Sequence, residues 1–126
     1  MTDDAHSYAL RIRPSARTDI QEAYDRLAEF PGPEIASRWY KGLQDLFAEL
    51  ASFPGRYAPA RESRLFRADV HVALHSLSRR SAVHRVLFTI EEAGDDSPMV
   101  HILSVRHAAR KLMTRAEARE IEKDDT

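Results

Sequence analysis

Cysteine is absent from the sequence, and its absence excludes several kinds of site at once. Disulfides, thiolate metal sites and a cysteine nucleophile are all ruled out, and the composition is compatible with a reducing compartment. Without thiolates, a zinc site would need histidines or carboxylates at suitable spacing. Six histidines are present, but no third ligand follows at such a spacing, so we predict no metal and no cofactor.

Long apolar runs are also missing, because the longest are a few residues and a bilayer span needs about 20. Residues 1–7 include Asp3 and Asp4 and no apolar segment, unlike a signal peptide. We therefore expect a cytoplasmic protein without a membrane segment. No linker rich in Pro, Gly or Ser divides the 126 residues. We expect one domain over residues 1–126, with a core at about 8–112, a flexible acidic N-terminus and a C-terminal tail.

The chain has no large excess of charge of one sign, since 19 cations nearly balance 20 acids. The balance is uneven along the chain: residues 14–53 are acidic overall, whereas residues 54–113 are basic overall. Lysine is scarce, so most cations are arginine, whose planar guanidinium binds phosphate or carboxylate through paired hydrogen bonds. The basic region is either a solvated surface or a surface that binds an anionic partner.

The first half of the chain predicts one strand and two helices. Residues 8–12 alternate between apolar and polar, which is typical of a strand with one buried face. Ser15 is the predicted N-cap of a helix whose apolar residues recur at helical spacing over 16–30. After the Pro31-Gly32-Pro33 turn, a second amphipathic helix extends to Phe53. The short turn predicts that the two helices pack side by side and antiparallel.

The second half predicts a β-meander and a short final helix. After an irregular stretch at 55–62, strand-like runs occur at 70–75, 83–90 and 99–105, with a turn at 91–98. Thr114 and Glu117 form a capping-box pattern for a helix over 115–121. The order is β-α-α-β-β-β with a short C-terminal helix. We predict an α+β fold in which a helical hairpin packs on a small twisted antiparallel sheet.

The pattern of residues resembles the RelE/ParE superfamily of plasmid-stabilisation toxins over residues 8–112. It includes Pro14-x-Ala16-x-x-Asp19 after the first strand, an apolar strand around Arg85, and a last strand followed by His107-x-x-Arg110. The resemblance implies a bacterial growth-inhibiting toxin of a toxin–antitoxin system, held inactive by a cognate antitoxin. In the ParE branch such toxins inhibit DNA gyrase without known hydrolysis. In the RelE branch they cleave mRNA in the ribosome, using the 2′-hydroxyl as nucleophile and no metal.

The resemblance also implies two candidate catalytic residues. Arg85 stands where RelE-like nucleases carry the arginine that binds the scissile phosphate, and alternation predicts that it projects from the sheet face not covered by helices. The alternative is an exposed arginine paired with an acid. His107 stands where some of these nucleases have a histidine for proton transfer, although the ParE branch commonly has a histidine there too.

Two departures favour the ParE branch. RelE-like nucleases commonly supply lysines near the second strand and a tyrosine after the last, whereas here no tyrosine follows Tyr57 and lysine is confined to three distant positions. Arginine is always protonated and is a poor proton shuttle. We assign five further arginines to binding the target or the antitoxin: Arg61, Arg64, Arg67, Arg106 and Arg110.

Other conspicuous side chains are given structural roles. The strand histidines are expected to be exposed, and two adjacent aromatics of the second helix are expected to lie in the core. These are His71, His75, His84 and His101, and Trp39 and Tyr40.

Three functions remain open from the sequence. The first is a ParE-like toxin that inhibits DNA gyrase, and the second is a RelE-like, ribosome-dependent mRNA endoribonuclease. The third is an attenuated orphan that retains only antitoxin binding or self-association as a homodimer.

Overall fold

The computed structural model of the chain describes residues 8–92 and 98–123. The expected acidic N-terminus at 1–7 and most of the expected 91–98 turn lie outside these residues. Two short 3-10 segments, Pro54–Arg56 and Arg61–Leu65, connect the helical and strand regions. The helices and strands are β1 (Ala9–Ile12), α1 (Pro14–Glu29), α2 (Pro33–Ser52), β2 (His71–His75), β3 (His84–Glu91), β4 (Met99–His107) and α3 (Arg115–Lys123).

The helical hairpin forms as predicted, except at its first cap. Helix α1 begins at Pro14, and its N-cap residue Arg13 makes no side-chain capping bond. The prediction that Ser15 is the N-cap is wrong, because Pro14 starts the helix with a preset φ and Ser15 Oγ donates instead to the Leu103 carbonyl, at 2.7 Å. Gly32 joins the helices with φ 150°, in the region that favours glycine.

The hairpin covers one face of the sheet, which we call the inner face. Trp39, 2% exposed, lies in the core between them, as predicted. Tyr40 does not: it is 40% exposed on the flank of α2, where its ring stacks edge-on against Tyr24. The buried members of this inner core are Ala16, Ile20, Ala23, Trp39, Leu43, Phe47, Leu50, Ala73, Val86, Phe88, Val100, Ile102 and Val105.

The sheet has the strand order β1-β4-β3-β2. Strands β2, β3 and β4 form the predicted antiparallel meander, and the α+β fold with a hairpin on a sheet is confirmed. Strand β1, however, pairs with β4 in parallel, so the sheet is mixed and not wholly antiparallel. Periodicity reveals which face of a strand is buried but is the same for both strand directions, so the sequence pattern could not show this.

A bulge in β4 receives the aspartate of α1. The register steps from Leu87 opposite Ser104 to Phe88 opposite Ile102, which leaves one extra residue in β4. Asp19 accepts hydrogen bonds from Ser104 Oγ at 2.8 Å and from the Val105 N–H at 2.9 Å. Burial raises the pKa of Asp19 above its ordinary value despite these bonds. Asp19 thus anchors α1 on the irregular part of the strand.

The opposite face of the sheet, which we call the outer face, is also covered. Helix α3 and residues 61–66 lie over it, and α3 begins with the predicted capping box: the Thr114 N–H donates to Glu117 Oε1 and the Glu117 N–H donates to Thr114 Oγ1. Helix α3 packs on this face through Ala118 and Ile121. The buried members of this outer core are Ala60, Val70, Leu87, Leu103, Met113, Ala118 and Ile121.

None of the helices in the described part of the chain is long and apolar enough to cross a membrane.

Candidate functional site

Arg85 and Arg106 lie side by side on the outer face, as directly paired residues of β3 and β4. Like charges opposite each other on neighbouring strands are destabilising unless they are compensated. Each arginine is compensated by an acid from the elements that cover this face. Arg85 Nη1 donates to Glu62 Oε2, and Arg106 Nη1 lies 3.5 Å from Glu117 Oε2.

The Arg85–Glu62 pair is almost fully enclosed. The side chain of Glu62 is 4% exposed and that of Arg85 is 14% exposed. Burial by itself would raise the pKa of Glu62, but the hydrogen bond and charge of Arg85, together with a backbone hydrogen bond and the charge of Arg61, lower the pKa below the ordinary value. Glu62 Oε1 has no hydrogen-bond partner among the described residues. The guanidinium of Arg85 is therefore committed to an internal carboxylate.

This placement corrects the expectation for Arg85. The residue does project from the face opposite the hairpin, but α3 and residues 61–66 cover that face. The alternative prediction was an exposed arginine paired with an acid. It is correct in the pairing and wrong in the exposure. Sequence reasoning missed Glu62, because its partner is 23 residues away and the irregular segment that carries it has no periodicity.

His107 lies on the other side of the sheet from Arg85. It is paired in register with His84, and the two rings are 5.4 Å apart between centroids. His84 in turn contacts Trp39 of α2 edge-on, at 5.1 Å, which identifies this as the inner face. His107 is exposed, and its Nδ1 accepts the N–H of Ala109 at 3.0 Å. The two candidate catalytic residues are thus not brought together.

Three histidines form a row across the end of the sheet. The register places His75, His84 and His107 opposite one another on β2, β3 and β4. His75 is buried with its Nε2 2.9 Å from the Trp39 carbonyl oxygen, and His84 is buried with no partner for Nδ1 among the described residues. Burial lowers the pKa of His84 to about 4, and the nearby charges of His107, His75 and Arg26 add to this effect.

The prediction of exposed strand histidines is therefore wrong for His75 and His84. Alternation along their strands places both side chains on the inner face, which the hairpin covers. His71 and His101 are half-buried: His71 stacks on Phe88, and His101 Nε2 lies 2.7 Å from Glu91 Oε1. Within residues 8–92 and 98–123, no three histidine, aspartate or glutamate side chains are arranged to hold a metal ion.

The remaining arginines separate into two groups. Arg106 is 5% exposed, and its Nη2 also donates to the Lys111 carbonyl at 3.0 Å. Arg110 is half exposed, with Nη2 3.4 Å from the same Glu117 carboxylate that Arg106 approaches. By contrast, the other predicted arginines lie together and exposed on one segment: Arg61, Arg64 and Arg67.

A groove runs along the free edge of the sheet, between β1 and the hairpin. It consists of two adjoining cavities of about 490 and 310 Å³ that share Ile12, Ile20 and Tyr40 as lining residues. The N–H groups of Ala9 and Arg13 donate to the carbonyl oxygens of Pro98 and Ile102, so β1 is held against β4 beside the groove. The sequence pattern did not reveal this groove, because its walls come from three separate elements.

Comparison with known families identifies the chain. Residues 10–112 match the model of the family described as ParE toxin of type II toxin-antitoxin system, parDE. The chain belongs to this ParE toxin family. The expectation of a ParE-like toxin of a type II toxin–antitoxin system is therefore confirmed.

Solved structures agree with the fold of this ParE-family toxin. Among 6 matching chains is one from the chromosomal ParDE TA system of P. aeruginosa, with a TM-score of 0.57 and 20% identity. The match covers 82% of the toxin and 98% of that chain. No protein of curated function matches in sequence. The family match ends at residue 112, so α3, with the Glu117 that pairs Arg106, lies beyond the matched part.

Proposed function

We propose that this ParE-family toxin acts in the cytoplasm by binding and inhibiting DNA gyrase, without catalysis, and that a cognate antitoxin neutralises it. The observation that carries the absence of catalysis is the separation of Arg85 from His107 on opposite faces of the sheet. Family membership supports both the gyrase target and the antitoxin.

A nuclease of the RelE type would need both side chains at one phosphate. A proton-transfer group must come within hydrogen-bond reach of the proton it moves, and the cation must meet the charge that develops on the same phosphate. Here the backbone of the sheet lies between Arg85 and His107. In addition, Glu62 occupies the guanidinium of Arg85. This arrangement supports a toxin that works through its surface.

The antitoxin, in this proposal, lays an amphipathic helix in the groove beside β1. A groove with apolar walls, as between β1 and the hairpin, suits such a helix, which inserts side chains spaced one turn apart. Tyr40 lines both cavities and is 40% exposed, so it can contact a partner without first leaving the core. Tyrosine is one of the residue types enriched among those that dominate binding energy.

The groove is tested by measuring the affinity for the antitoxin encoded beside the toxin gene, using Tyr40→Ala. We expect at least about a tenfold loss of affinity, the change typical of a truncated interface tyrosine. Lys41→Ala is the matched control, because Lys41 is exposed on the same helix and does not line the cavities. Equal affinities of the two variants would contradict the groove as the antitoxin site.

The target is tested by adding the purified toxin to a gyrase supercoiling reaction. We expect inhibition at micromolar concentration and its reversal by the antitoxin; a reaction that runs unaffected would refute the gyrase proposal. Primer extension on mRNA from cells that express the toxin should show intact messages. Cleavage that disappears in Arg85→Ala would favour the RelE-like enzyme, and normal growth without antitoxin would favour an attenuated orphan.

A further inference from the structure

Residues 61–67 present a row of exposed arginines on the outer side of the molecule. Arg61, Arg64 and Arg67 recur at every third residue, and all three are exposed. We infer that this arginine row binds the phosphate backbone of a nucleic acid, independently of base sequence. This binding is a property beyond gyrase inhibition and antitoxin recognition.

The spacing of the row follows from the local backbone. Residues 61–65 form a 3-10 helix, which has three residues per turn and rises about 2.0 Å per residue. Arg61 and Arg64 therefore lie one above the other, separated by about 6 Å along the axis. Arg67 follows two residues after the helix ends at Leu65, and it is exposed as well. Neighbouring guanidinium groups placed in this way reach successive phosphates of one strand, and each can bind a phosphate through two parallel hydrogen bonds.

Hydrogen bonds and apolar contacts fix the segment that carries the arginine row. The N–H of Ala60 donates to the Val70 carbonyl at 2.8 Å, and the N–H of Val70 donates to Ser63 Oγ at 2.9 Å. Leu65 and Phe66 pack inward against the outer core. The segment is therefore ordered before any ligand arrives, and binding costs little additional backbone entropy.

The acid nearest to the row is already committed elsewhere. Arg61 Nε lies 3.8 Å from Glu62 Oε2, but Glu62 is buried against Arg85, and the Arg61 side chain remains 56% exposed. The positive charge of Arg61 is therefore presented to solvent. This explains how a chain with a net charge of −1 can carry a basic surface.

A cleft of about 430 Å³ extends the basic surface toward α3, where Arg67 faces Arg119 and Lys123. Acids belong to the same region, among them the exposed Asp69 two residues after Arg67. The Glu122 carboxylate accepts the backbone N–H of Arg67 at 2.8 Å, and Glu120 lies 3.8 Å from Lys123 Nζ. Neither of these contacts uses the guanidinium of Arg67, and the residue is exposed.

The chemistry of the row favours a nucleic acid over a protein partner. Protein interfaces depend on a few buried aromatic or aliphatic anchors, whereas on residues 61–67 the apolar side chains face inward and the outward side chains are arginines. Interfaces with nucleic acids are more polar and much more positive. Since the row offers no aromatic ring for stacking on bases, it contacts phosphates, which carry no sequence information.

The test is fluorescence anisotropy of the purified full-length toxin with labelled duplex DNA and, separately, single-stranded RNA. Three phosphate contacts predict that log K falls with log salt with a slope of about −2.7 for duplex DNA, or about 40-fold between 50 and 200 mM salt. For single-stranded RNA the expected slope is about −2.1. The stronger of the two ligands identifies the nucleic acid.

Three variants make the test specific. Arg64→Ala should reduce the steepness of the salt dependence by about one unit, and R61A/R64A/R67A should abolish binding. Arg38→Ala removes an exposed arginine of α2 and serves as the charge-matched control, with binding unchanged. Circular dichroism checks that the triple variant is folded. If it is not folded, the salt dependence of binding by Arg64→Ala tests the inference by itself.

Several results would overturn the inference. These are no binding to either nucleic acid at micromolar concentration in 50 mM salt, an equal loss in Arg38→Ala, or an unchanged slope in Arg64→Ala. Polyglutamate is added as a competitor. If it displaces the nucleic acid as well as unlabelled DNA does at the same concentration of negative charge, the row binds an acidic polypeptide instead. The reaction contains no gyrase and no antitoxin, so its outcome is independent of the proposed toxic target.

Discussion

Acidification should weaken the fold through the buried His84. Burial lowers the pKa of this imidazole from 6.5 to about 4, so the ring is neutral in the folded chain at pH 7. Above pH 6.5 the ring is neutral in both the folded and the unfolded chain, and the free energy of unfolding does not depend on it. Between pH 6.5 and 4 only the unfolded chain takes up the proton, so stability falls as the pH falls.

The size of the effect follows from the two pKa values. Each pH unit in this window removes about 1.4 kcal/mol, so the total loss approaches about 3 kcal/mol near pH 4. A typical domain is stable by only about 5–15 kcal/mol, so the loss is a large part of the total. The charged groups that face His84 are His107, His75 and Arg26, and their charges add to burial in lowering the pKa of His84.

The assay is urea denaturation of the natural chain and of His84→Gln at several pH values from 7.5 to 4.5. Other titrating groups, such as Asp19, are shared and cancel in the difference between the two free energies of unfolding. We expect His84→Gln to be less stable than the natural chain at pH 7.5, because the substitution alters a packed site. Below pH 6.5 the difference in free energy of unfolding should shrink steadily as the pH falls, because only the natural chain loses stability through His84. A difference that stays constant with pH would refute the reasoning.

His107→Gln is a second variant for the same assay. Its stability should fall less steeply with pH than that of the natural chain, because the charge next to His84 is removed.

Three further predictions concern stability and are measured by urea denaturation at pH 7.5. Gly42→Ala should destabilise by about 1–3 kcal/mol, since its Cβ would lie 2.8 Å from His75 Cε1; Gly55→Ala, with nothing within 4 Å, is the control, and equal stabilities would contradict the close contact. Glu62→Ala should cost about 3 kcal/mol, because it leaves the charge of Arg85 uncompensated in an enclosed site, and an unchanged midpoint would contradict the buried pair. Asp19→Ala should cost about 1–3 kcal/mol, because the two donors at the β4 bulge lose their acceptor; a variant as stable as the natural chain would show that water replaces the carboxylate.

Local periodicity accounts for what could be predicted from the sequence. The hairpin, the meander and the capped C-terminal helix follow from spacings of 3.6 and 2 residues and from Pro33, Thr114 and Glu117, all of which act over a few residues. The family resemblance rests on the same local patterns. Alternation along β3 also placed Arg85 correctly opposite the hairpin, although the burial of His84 on the other face of the same strand was not predicted.

Contacts between distant residues account for what could not be predicted. Asp19 and Ser104 are hydrogen-bonded although 85 residues separate them, and Glu62 and Arg85 are paired across 23 residues. No repeating pattern in the sequence indicates either pair. The parallel direction of β1 is set by its pairing with β4, which lies at the other end of the sheet-forming sequence. Parity shows which side chains share a face but not what covers that face.

The sequence by itself therefore determined the order of elements, the toxin family and the excess of arginine after residue 54. Only the tertiary structure decided which arginines remain available. It covers the outer face with α3 and residues 61–66, pairs Arg85 with Glu62, and leaves the arginine row exposed. The physical reason is that a charge acts through its neighbours and its exposure to water, and both are set by segments that come together only when the chain folds.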